Sequence, residues 1–579
     1  MAASFTKQTS ISIEGTIITH FQSLKIIQSL HTWHEFELVF DDNSSSPVFP
    51  FAFGTKNPLI GKKISLTIKG EDASMATLKF DGVIAEAEAI MSNWQLPGMV
   101  VRGHGMPYKL GTGPSIGAYF DQSVTDIVKK CLSTYSGDKK ITTPTGPGHV
   151  LPYCVRYNET VWNFLRRLAY DYGAWLYYDG QTLHFTAAPG TSPISLKLGL
   201  NLHDLRSGTR AVAQAVRQVD YLSLDDKRIE AAHGTDAGLF EGPASQAQPG
   251  LRRALTDGDL TSFATNRSES FAAQASYVTG QSDVPGLCVG STIRINAASK
   301  GKSTLGDFVV VEVTHDVTDV KGYHSRFLAI PAAVKAMPPG PLQLPTSEAQ
   351  VGKVVANNDP RNLGRVQVRL QWMTGAEKTP WLRVVAPHYG PGKAGKSRGF
   401  MFVPEVDDQV MVGFQHGNPD RPFVFGAMPH GQNAAVPSPA TKAHHLSVNS
   451  GTTVSFLDTS SKHELHLQVD DDNTITIVVN NGQGTITLNA SKSIVLKAAK
   501  EITLDAPTIT LKGSSVAISG NTVAIDANRQ MAISGGTVDI KSDGPLNAKG
   551  TMTKVTGTIT AALDSSGITT VKGTMVMIN

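Results

Sequence analysis

The chain is 579 residues long, with 40% apolar and 17% charged residues and a formal net charge of +3. This length exceeds what one hydrophobic core can serve, so several folded domains are expected. The small net charge does not favour nucleic acid or an anionic membrane as the principal partner. The three cysteines, Cys131, Cys154 and Cys288, form no CxxC pair. This excludes a disulfide framework and a cysteine-based zinc site, and it fits a reducing compartment.

The sequence begins with Met1–Gln8, which lacks the apolar core of a signal peptide. No apolar run approaches the ~18 residues that a membrane-spanning helix needs. We therefore expect cytoplasmic assembly without stable membrane anchoring. If the protein is then secreted or injected, we expect a route other than the general secretory pathway.

The first half of the chain predicts a mainly β fold with some α-helix. One helix is expected to begin near Ser123, and a second runs from about Glu159 to Tyr172, where Gly173 ends it. Residues 205–275 are polar and are expected to be irregular with weak helical runs. Alternating apolar residues predict strands at 11–13, 36–40, 64–68, 77–81, 175–178, 182–185, 291–295, 307–313 and 323–330.

Two proline-rich segments divide the rest of the chain into domains. Linkers are expected at 337–348 and 429–447. The intervening residues 349–428 suit one small barrel. Residues 448–579, here named the needle segment, contain a short apolar repeat.

The needle segment repeats a unit of two apolar residues separated by one residue, and successive units start seven or eight residues apart. Such alternation marks a short strand, and the Gly-, Asn- and Ser-rich spacers mark turns. A fixed short period is typical of a repeat architecture. The units are Ile486 with Leu488, Ile494 with Leu496, Ile502 with Leu504, Ile509 with Leu511, Val516 with Ile518, Val523 with Ile525, Met531 with Ile533, and Val538 with Ile540.

One repeat cannot be stable alone, because burying an aliphatic side chain contributes ~1.5–3 kcal/mol whereas ordering each residue's backbone costs ~1–2 kcal/mol. The units must stack, either as coils of a single-chain β-helix or as three chains wound into a triangular prism. The period leaves both possibilities open. The last residues lack the polar cap that solenoid ends need, so either another protein covers them or the terminus is frayed. They are Thr574, Met575, Val576, Met577, Ile578 and Asn579.

Two short motifs match enzyme patterns, but their surroundings argue against both. Residues 390–397 fit the phosphate-loop pattern GxxxxGK[ST], yet a strand is predicted to follow instead of the required helix, which favours a glycine-rich hairpin. Residues 113–117 fit the nucleophile pattern GxSxG. There Pro114 precedes the serine within a glycine-rich loop, which does not suit a strand-to-helix elbow.

Two polar clusters could bind metal. The histidines 444, 445, 463 and 466 lack a neighbouring cysteine or carboxylate at ligand spacing, so solvated side chains are favoured. Residues 470–473 resemble the start of a calcium loop but lack its closing Gly and Glu, which favours a solvated turn.

Two further groups suggest chemistry without completing a site. His315 and His324 flank a turn and are expected on a surface hairpin. The barrel segment carries several arginines and lysines with Trp372 and Trp381, a combination that suits single-stranded nucleic acid. Packing at strand ends explains the tryptophans equally well, so nucleic acid is not expected as a partner.

The barrel stretches 351–368, 381–384, 402–414 and 417–426, with Trp372, resemble the oligonucleotide-binding-fold (OB) domain of the VgrG spike family. These are trimeric spikes of type VI secretion and related contractile injection machines. Residues 157–178 and 322–331 resemble that family's phage-hub-like portion, and residues 485–579 resemble its trimeric needle.

The resemblance implies a hub with two tube-type barrels at 1–336, an OB-fold barrel at 349–428 and a trimeric intertwined β-helix at 448–579. The eight repeat units given above would form the trimer core. A trimer would then present six hub barrels to a six-fold tube. The implied partners are two further copies of the chain, a hexameric tube protein, baseplate proteins, effector cargo and a PAAR-like tip protein bound at 574–579.

The resemblance also bears on catalysis. Phage relatives insert a lysozyme domain where only the linker 429–447 lies here, and toxin-bearing members append a domain after the needle, which we do not expect here. We therefore predict a structural protein with no catalytic, cofactor or metal residues. The alternative is a cell-wall or polysaccharide hydrolase on a β-helical scaffold, which needs paired carboxylates. The scattered residues Asp505, Asp526, Asp539 and Asp543 do not provide such a pair.

Overall fold

The computed structural model describes residues 8–40, 58–70, 75–92, 95–142, 150–213, 215–234, 248–249, 256–297, 304–318, 322–393, 397–433 and 442–578. The chain forms two compact units, residues 1–434 and 435–579. The predicted mainly β fold is confirmed. Within the described ranges, every helix is too short or too polar to cross a bilayer.

The first unit begins with strands that alternate core-facing and outward-facing residues, as the period of two predicts. Ile11, Leu38 and Phe80 lie in one large core. The neighbour order is β3-β4-β7-β6-β5-β1-β2. These strands are β1 (Thr9–Ile13), β2 (Thr16–Ile18), β3 (Ser23–Ser29), β4 (Glu35–Phe40), β5 (Lys63–Ile68), β6 (Leu78–Ser92) and β7 (Gln95–Gly105).

Both helices predicted in the next stretch are confirmed. The Ser123 hydroxyl accepts the N–H of Asp126, and the Thr160 hydroxyl accepts the N–H of Asn163, so each helix has a side-chain N-cap. Gly173, with a φ of +67°, follows the second helix. The elements are β8 (Ser115–Gln122), α1 (Val124–Cys131), β9 (Asp138–Ile141), β10 (Leu151–Glu159), α2 (Val161–Asp171), β11 (Trp175–Tyr178) and β12 (Thr182–Thr186).

The expectation that residues 205–275 are irregular is wrong. The region contains strands and the longest helix of the described chain, α3, which opens with a reciprocal capping box between Thr256 and Asp259. Its buried stripe includes Leu260 and Phe263, but many small polar residues weaken the pattern. The elements from here to the end of the hub are β13 (Ile194–Lys197), β14 (Leu202–Thr209), β15 (Ala215–Leu222), β16 (Lys227–Gly234), β17 (Gln248–Pro249), α3 (Asp257–Ala272), β18 (Ser276–Ser282), β19 (Thr292–Asn296), β20 (Gly306–Thr318) and β21 (Gly322–Pro331).

A second hydrophobic core lies between β13, β14 and β18–β21. Strand β20 also pairs with β3, so one continuous sheet runs past both hub cores. Residues 349–428 then form the OB barrel around a third core, rich in valine. Its strands are β22 (Gln350–Ala356), β23 (Gln367–Leu370), β24 (His388–Pro391), β25 (Ser397–Phe400), β26 (Gln409–Phe414) and β27 (Pro422–Ala427).

The second unit contains an antiparallel sheet whose five strands are neighbours in sequence order. Its first strand, β28, falls in the predicted linker 429–447, of which residues 434–441 lie outside the described residues. Residues 490–578 form neither helix nor hydrogen-bonded strand. The five strands are β28 (Ala443–Ser447), β29 (Thr453–Asp458), β30 (Lys462–Gln468), β31 (Thr474–Asn480) and β32 (Gln483–Asn489).

Candidate assembly surface

One side of the five-stranded sheet, here named the apolar face, is defined by two rows of directly paired residues. Because neighbouring residues point to opposite sides, the other side carries the row His445, Ser455, His466, Thr476 and Thr487. The rows of the apolar face are Leu446–Val454–Leu467–Ile475–Leu488 and His444–Phe456–Leu465–Ile477–Ile486.

The described part of the second unit leaves the apolar face uncovered. Phe456 is 46% exposed, Ile475 is 41% exposed and Ile486 is 68% exposed. Among residues 442–578, no residue is buried. Contiguous apolar surface of this kind normally marks an interaction site. Burial of each such side chain would contribute ~1.5–3 kcal/mol.

The predicted trimer-core residues continue this uncovered surface. All sixteen, from Ile486 to Ile540, are between 45% and 68% exposed, so none of them is a core residue within its own chain. The physical reason is that a single copy of residues 490–578 has no second layer to cover them. Their assignment to a core between chains therefore stays a prediction.

The two positions of each later repeat differ in a regular way. The first residues are 49% to 55% exposed, namely Ile494, Ile502, Ile509, Val516, Val523, Met531 and Val538. The second residues are 61% to 67% exposed, namely Leu496, Leu504, Leu511, Ile518, Ile525, Ile533 and Ile540. This regular difference indicates that every repeat has the same local geometry. Within each pair, the second residue is the more exposed of the two.

The backbone after Asn489 also lacks backbone-to-backbone hydrogen bonds within the described chain. In residues 490–578, no backbone N–H donates to a backbone carbonyl of the described chain. Backbone polar groups are normally paired, and unpaired strand edges are templates for another chain. The predicted tip-binding residues 574–578 are exposed, with Met577 at 80% and Ile578 at 91%, and Asn579 lies outside the described residues.

Sequence analysis missed the apolar face before Ile486. The signal was present in three alternating pairs: Val454 with Phe456, Leu465 with Leu467, and Ile475 with Ile477. Only the strand register shows that these pairs join Ile486 and Leu488 on one face. The first repeat unit therefore belongs to the sheet.

The OB barrel places its motif residues in structural contacts. Asp359 accepts two N–H groups from the Arg365 guanidinium, at 2.6 and 2.9 Å, and the backbone N–H groups of Arg361 and Leu363. The paired guanidinium holds the pKa of the Asp359 carboxyl well below its usual range. Trp372 donates its indole N–H to Gln350. Asp359, Arg365 and Trp372 therefore form hydrogen bonds within the barrel.

Two family models match this arrangement of domains. Residues 54–321 match the phage tail baseplate hub (GPD), and residues 350–428 match the type VI secretion system/phage-baseplate injector OB domain. A spike protein of Pseudomonas aeruginosa, VgrG1a, is 22% identical over 448 residues, covering 69% of this chain and 67% of that protein. In its hub and OB domains the chain is therefore similar to the VgrG spike family.

Other VgrG relatives extend the comparison. VgrG5 of Pseudomonas aeruginosa is 26% identical over 48% of this chain and 40% of that protein. The Vibrio cholerae actin cross-linking toxin VgrG1 is 24% identical over a match that covers 55% of this chain and 33% of that protein. Matches to the first three relatives span 33% to 67% of their lengths.

Solved structures agree in fold. The Escherichia coli c3393 protein is described as a type VI secretion component similar to the phage T4 tail proteins gp27 and gp5. It aligns with a TM-score of 0.50 and 17% identity, covering 72% of this chain and 99% of that one. VgrG in the half-lidded Francisella PdpA–VgrG complex aligns with a TM-score of 0.58 and 11% identity, covering 83% and 88%.

Neither enzyme-like motif of this chain has the secondary structure that its chemistry requires. Residues 390–391 and 397 belong to the antiparallel pair β24–β25, which confirms the predicted hairpin, and residues 394–396 lie outside the described ranges. Ser115 is the first residue of strand β8. It is therefore not at a strand-to-helix elbow.

The four histidines 444, 445, 463 and 466 do not converge. His444 and His463 lie on the side of the sheet that carries the apolar face, whereas His445 and His466 point to the other side. The Nδ1 atom of His463 lies 2.6 Å from an Asp458 carboxylate oxygen. Within the described residues, no group of three or more His, Cys, Asp or Glu side chains is arranged to hold a metal.

Two turn predictions had different outcomes. Asp470 accepts the backbone N–H groups of Asp472 and Asn473, which confirms the predicted turn. His315 and His324 lie on the paired strands β20 and β21, but the expected surface position is wrong for His315. That residue is fully buried, and its Nδ1 atom lies 2.8 Å from the Tyr323 hydroxyl.

Proposed function

We propose that the protein is a homotrimeric puncturing spike at the tip of a contractile injection or secretion apparatus, without enzymatic activity of its own. One observation carries this proposal: in the described second unit no residue is buried, although its apolar residues recur with a regular period. Such a unit needs other chains to cover it.

Copies of the same chain suit this surface best. The unpaired backbone of residues 490–578 offers strand edges along its whole length, and closing three such chains around an axis would leave no open edge. The apolar face and the repeat units would then form one continuous core. Similarity to the VgrG spike family supports three chains over a single-chain coil.

The further partners follow from the VgrG family. The hub would bind a hexameric tube protein and baseplate proteins, and exposed residues 574–578 would bind a PAAR-like tip protein. Effector cargo would travel with the spike, which leaves the cytoplasm through the apparatus. A Francisella VgrG was solved in a complex with PdpA, and that precedent supports cargo binding here.

The absence of enzymatic activity is part of the proposal because one relative, from Vibrio cholerae, is an actin cross-linking toxin. Purified protein should release no soluble fragments from peptidoglycan or polysaccharide. Release at a rate proportional to protein concentration would favour the hydrolase alternative.

Oligomeric state provides the direct test. Light scattering coupled to size-exclusion chromatography should give three times the mass of one 61.8 kDa chain. Deletion of residues 448–579 should remove the contacts of the needle segment and prevent trimer assembly. A full-length monomer at micromolar concentration would contradict the proposal.

A further inference from the structure

The ribbon formed by β8 and β10 contributes to two cores. On one side, Tyr119 pairs with Cys154 and packs in the hub core, and its hydroxyl lies 3.0 Å from the Cys131 sulfur. On the other side, Ala118 pairs with Val155, and both are buried in the OB barrel core. The ribbon is therefore a layer that the hub and the OB barrel share.

Two consecutive residues of the OB barrel bind the hub through buried charges. Asp420 accepts the backbone N–H of Val155 at 2.6 Å. Arg421 donates two hydrogen bonds to the two oxygens of Asp220 on β15, at 2.6 and 2.5 Å. Asp220, Asp420 and Arg421 are at most 7% exposed.

A buried arginine of the hub extends this cluster. Arg167 on α2 donates to the carbonyl of Val155 at 2.8 Å and to Glu159 at 2.7 Å, and it lies 3.7 Å from Asp420. Two guanidinium groups and three carboxylates are thus buried where the hub contacts the barrel. Removing one partner of such a buried pair leaves an uncompensated charge, which is strongly destabilising.

The predicted linker 337–348 is also fixed to its surroundings. Met337 is buried in the hub core, and its carbonyl accepts the Ser270 hydroxyl at 2.7 Å. Asn163 donates to the carbonyl of Gln343 at 2.7 Å. Ser347 donates its backbone N–H to Gly417 of the OB barrel at 2.7 Å. The segment is therefore a packed strap.

We propose that Asp420 and Arg421 are positioning residues that lock the OB barrel to the hub, so that both move as one rigid body. The shared ribbon provides the apolar contact between the hub and the OB barrel. The strap limits how far the barrel can move from the hub, and the buried ion pairs fix the orientation of the barrel. The inference concerns one chain and does not depend on the proposed spike function.

Hydrogen exchange of the full-length protein tests the lock. In the variant Arg421→Ala, backbone amides of β8, β10, β22 and β27 should exchange about tenfold faster, because the barrel opens from its seat more often. Amides of β3 and β20 in the hub should stay as protected as in the wild type. Wild-type exchange at all these strands in Arg421→Ala would overturn the proposal.

Three further variants separate a lock from general destabilisation. Arg294→Ala removes an exposed bidentate ion pair with Asp307 inside the hub sheet. This variant should leave the amide exchange rates of the four strands unchanged. Arg421→Lys keeps the charge without the paired hydrogen bonds and should give an intermediate rate. The double variant Asp220→Arg/Arg421→Asp reverses both charges and restores an ion pair. Amides of the four strands should therefore exchange more slowly in the double variant than in either single variant. Failure of that coupling would also overturn the proposal.

Discussion

Ile477 on β31 lies directly opposite Ile486 on β32, with both side chains on the apolar face. Ile486 also opens the repeat that continues to Ile540. The exposed apolar residues therefore begin within a hydrogen-bonded sheet and recur along residues that have no partner strand in the described chain.

We expect Ile477→Asp to prevent trimer assembly. Each copy would lose ~1.5–3 kcal/mol of apolar burial and would carry a carboxylate into an apolar interface. Light scattering measures the outcome. Thr476→Asp is the matched control, because the neighbouring side chain points to the opposite side of the same strand. A trimeric Ile477→Asp variant would place the interface elsewhere.

We expect Ile509→Asp or Ile525→Asp to abolish trimer assembly of the needle segment. Three copies of each carboxylate would meet in one narrow core, where desolvation and mutual repulsion oppose assembly. Light scattering and protease resistance measure the result. Thr510→Asp changes the residue between Ile509 and Leu511 and should be tolerated. A protease-resistant Ile509→Asp trimer would contradict the assignment of these residues to the core.

We expect Arg365→Ala to destabilise the OB barrel by ~3–5 kcal/mol, because it leaves the buried Asp359 carboxylate without its counter-charge. Hydrogen exchange in β22 and β23 measures the loss. In the wild type, the depressed pKa of Asp359 contributes stability above the ordinary carboxyl pKa, and this contribution is lost as the pH falls. The acid dependence of barrel stability should therefore weaken in Arg365→Ala, and an unchanged dependence would argue against the pair.

We expect two buried histidines to make hub stability pH-dependent. Burial lowers the pKa of His34 and of His315 from 6.5 to about 3. The unfolded chain binds protons below pH 6.5 while the folded hub does not, so stability is present above pH 6.5 and falls toward pH 3, by ~1.4 kcal/mol per pKa unit for each group.

The variant His315→Gln should reduce the slope of unfolding free energy against pH between 6.5 and 3, as followed by denaturant titration. His203→Gln is the control, since His203 is half exposed on the hub surface. An unchanged slope in His315→Gln would show that this imidazole does not control the acid response.

Sequence patterns predicted elements whose cause is local. The apolar stripe and Thr160 define α2, and the alternation at Ile486 and Leu488 marks an apolar strand face. The same patterns predicted only weak helical runs in the region of α3, because its buried Ser268 and Ser270 resemble surface residues. A helix covered on a polar side has no distinctive period in hydrophobicity.

Contacts between distant residues were beyond such patterns. Arg421 and Asp220 are 201 positions apart, and nothing around either residue indicates the other. The apolar face had visible alternation, but register alone decides which residues share a side. His315 likewise resembled a turn residue until its strand was placed in the sheet.

The first unit buries its cores within one chain, whereas residues 490–578 have no internal backbone pairing. Folding and assembly are therefore separate events. A newly made polypeptide can complete its hub and barrel in isolation, at a rate independent of concentration. In the proposed trimer, residues 490–578 must still meet two other chains. The yield of trimer should therefore rise steeply with the amount of chain synthesised, and exposed copies of this segment should be the main source of misassembly.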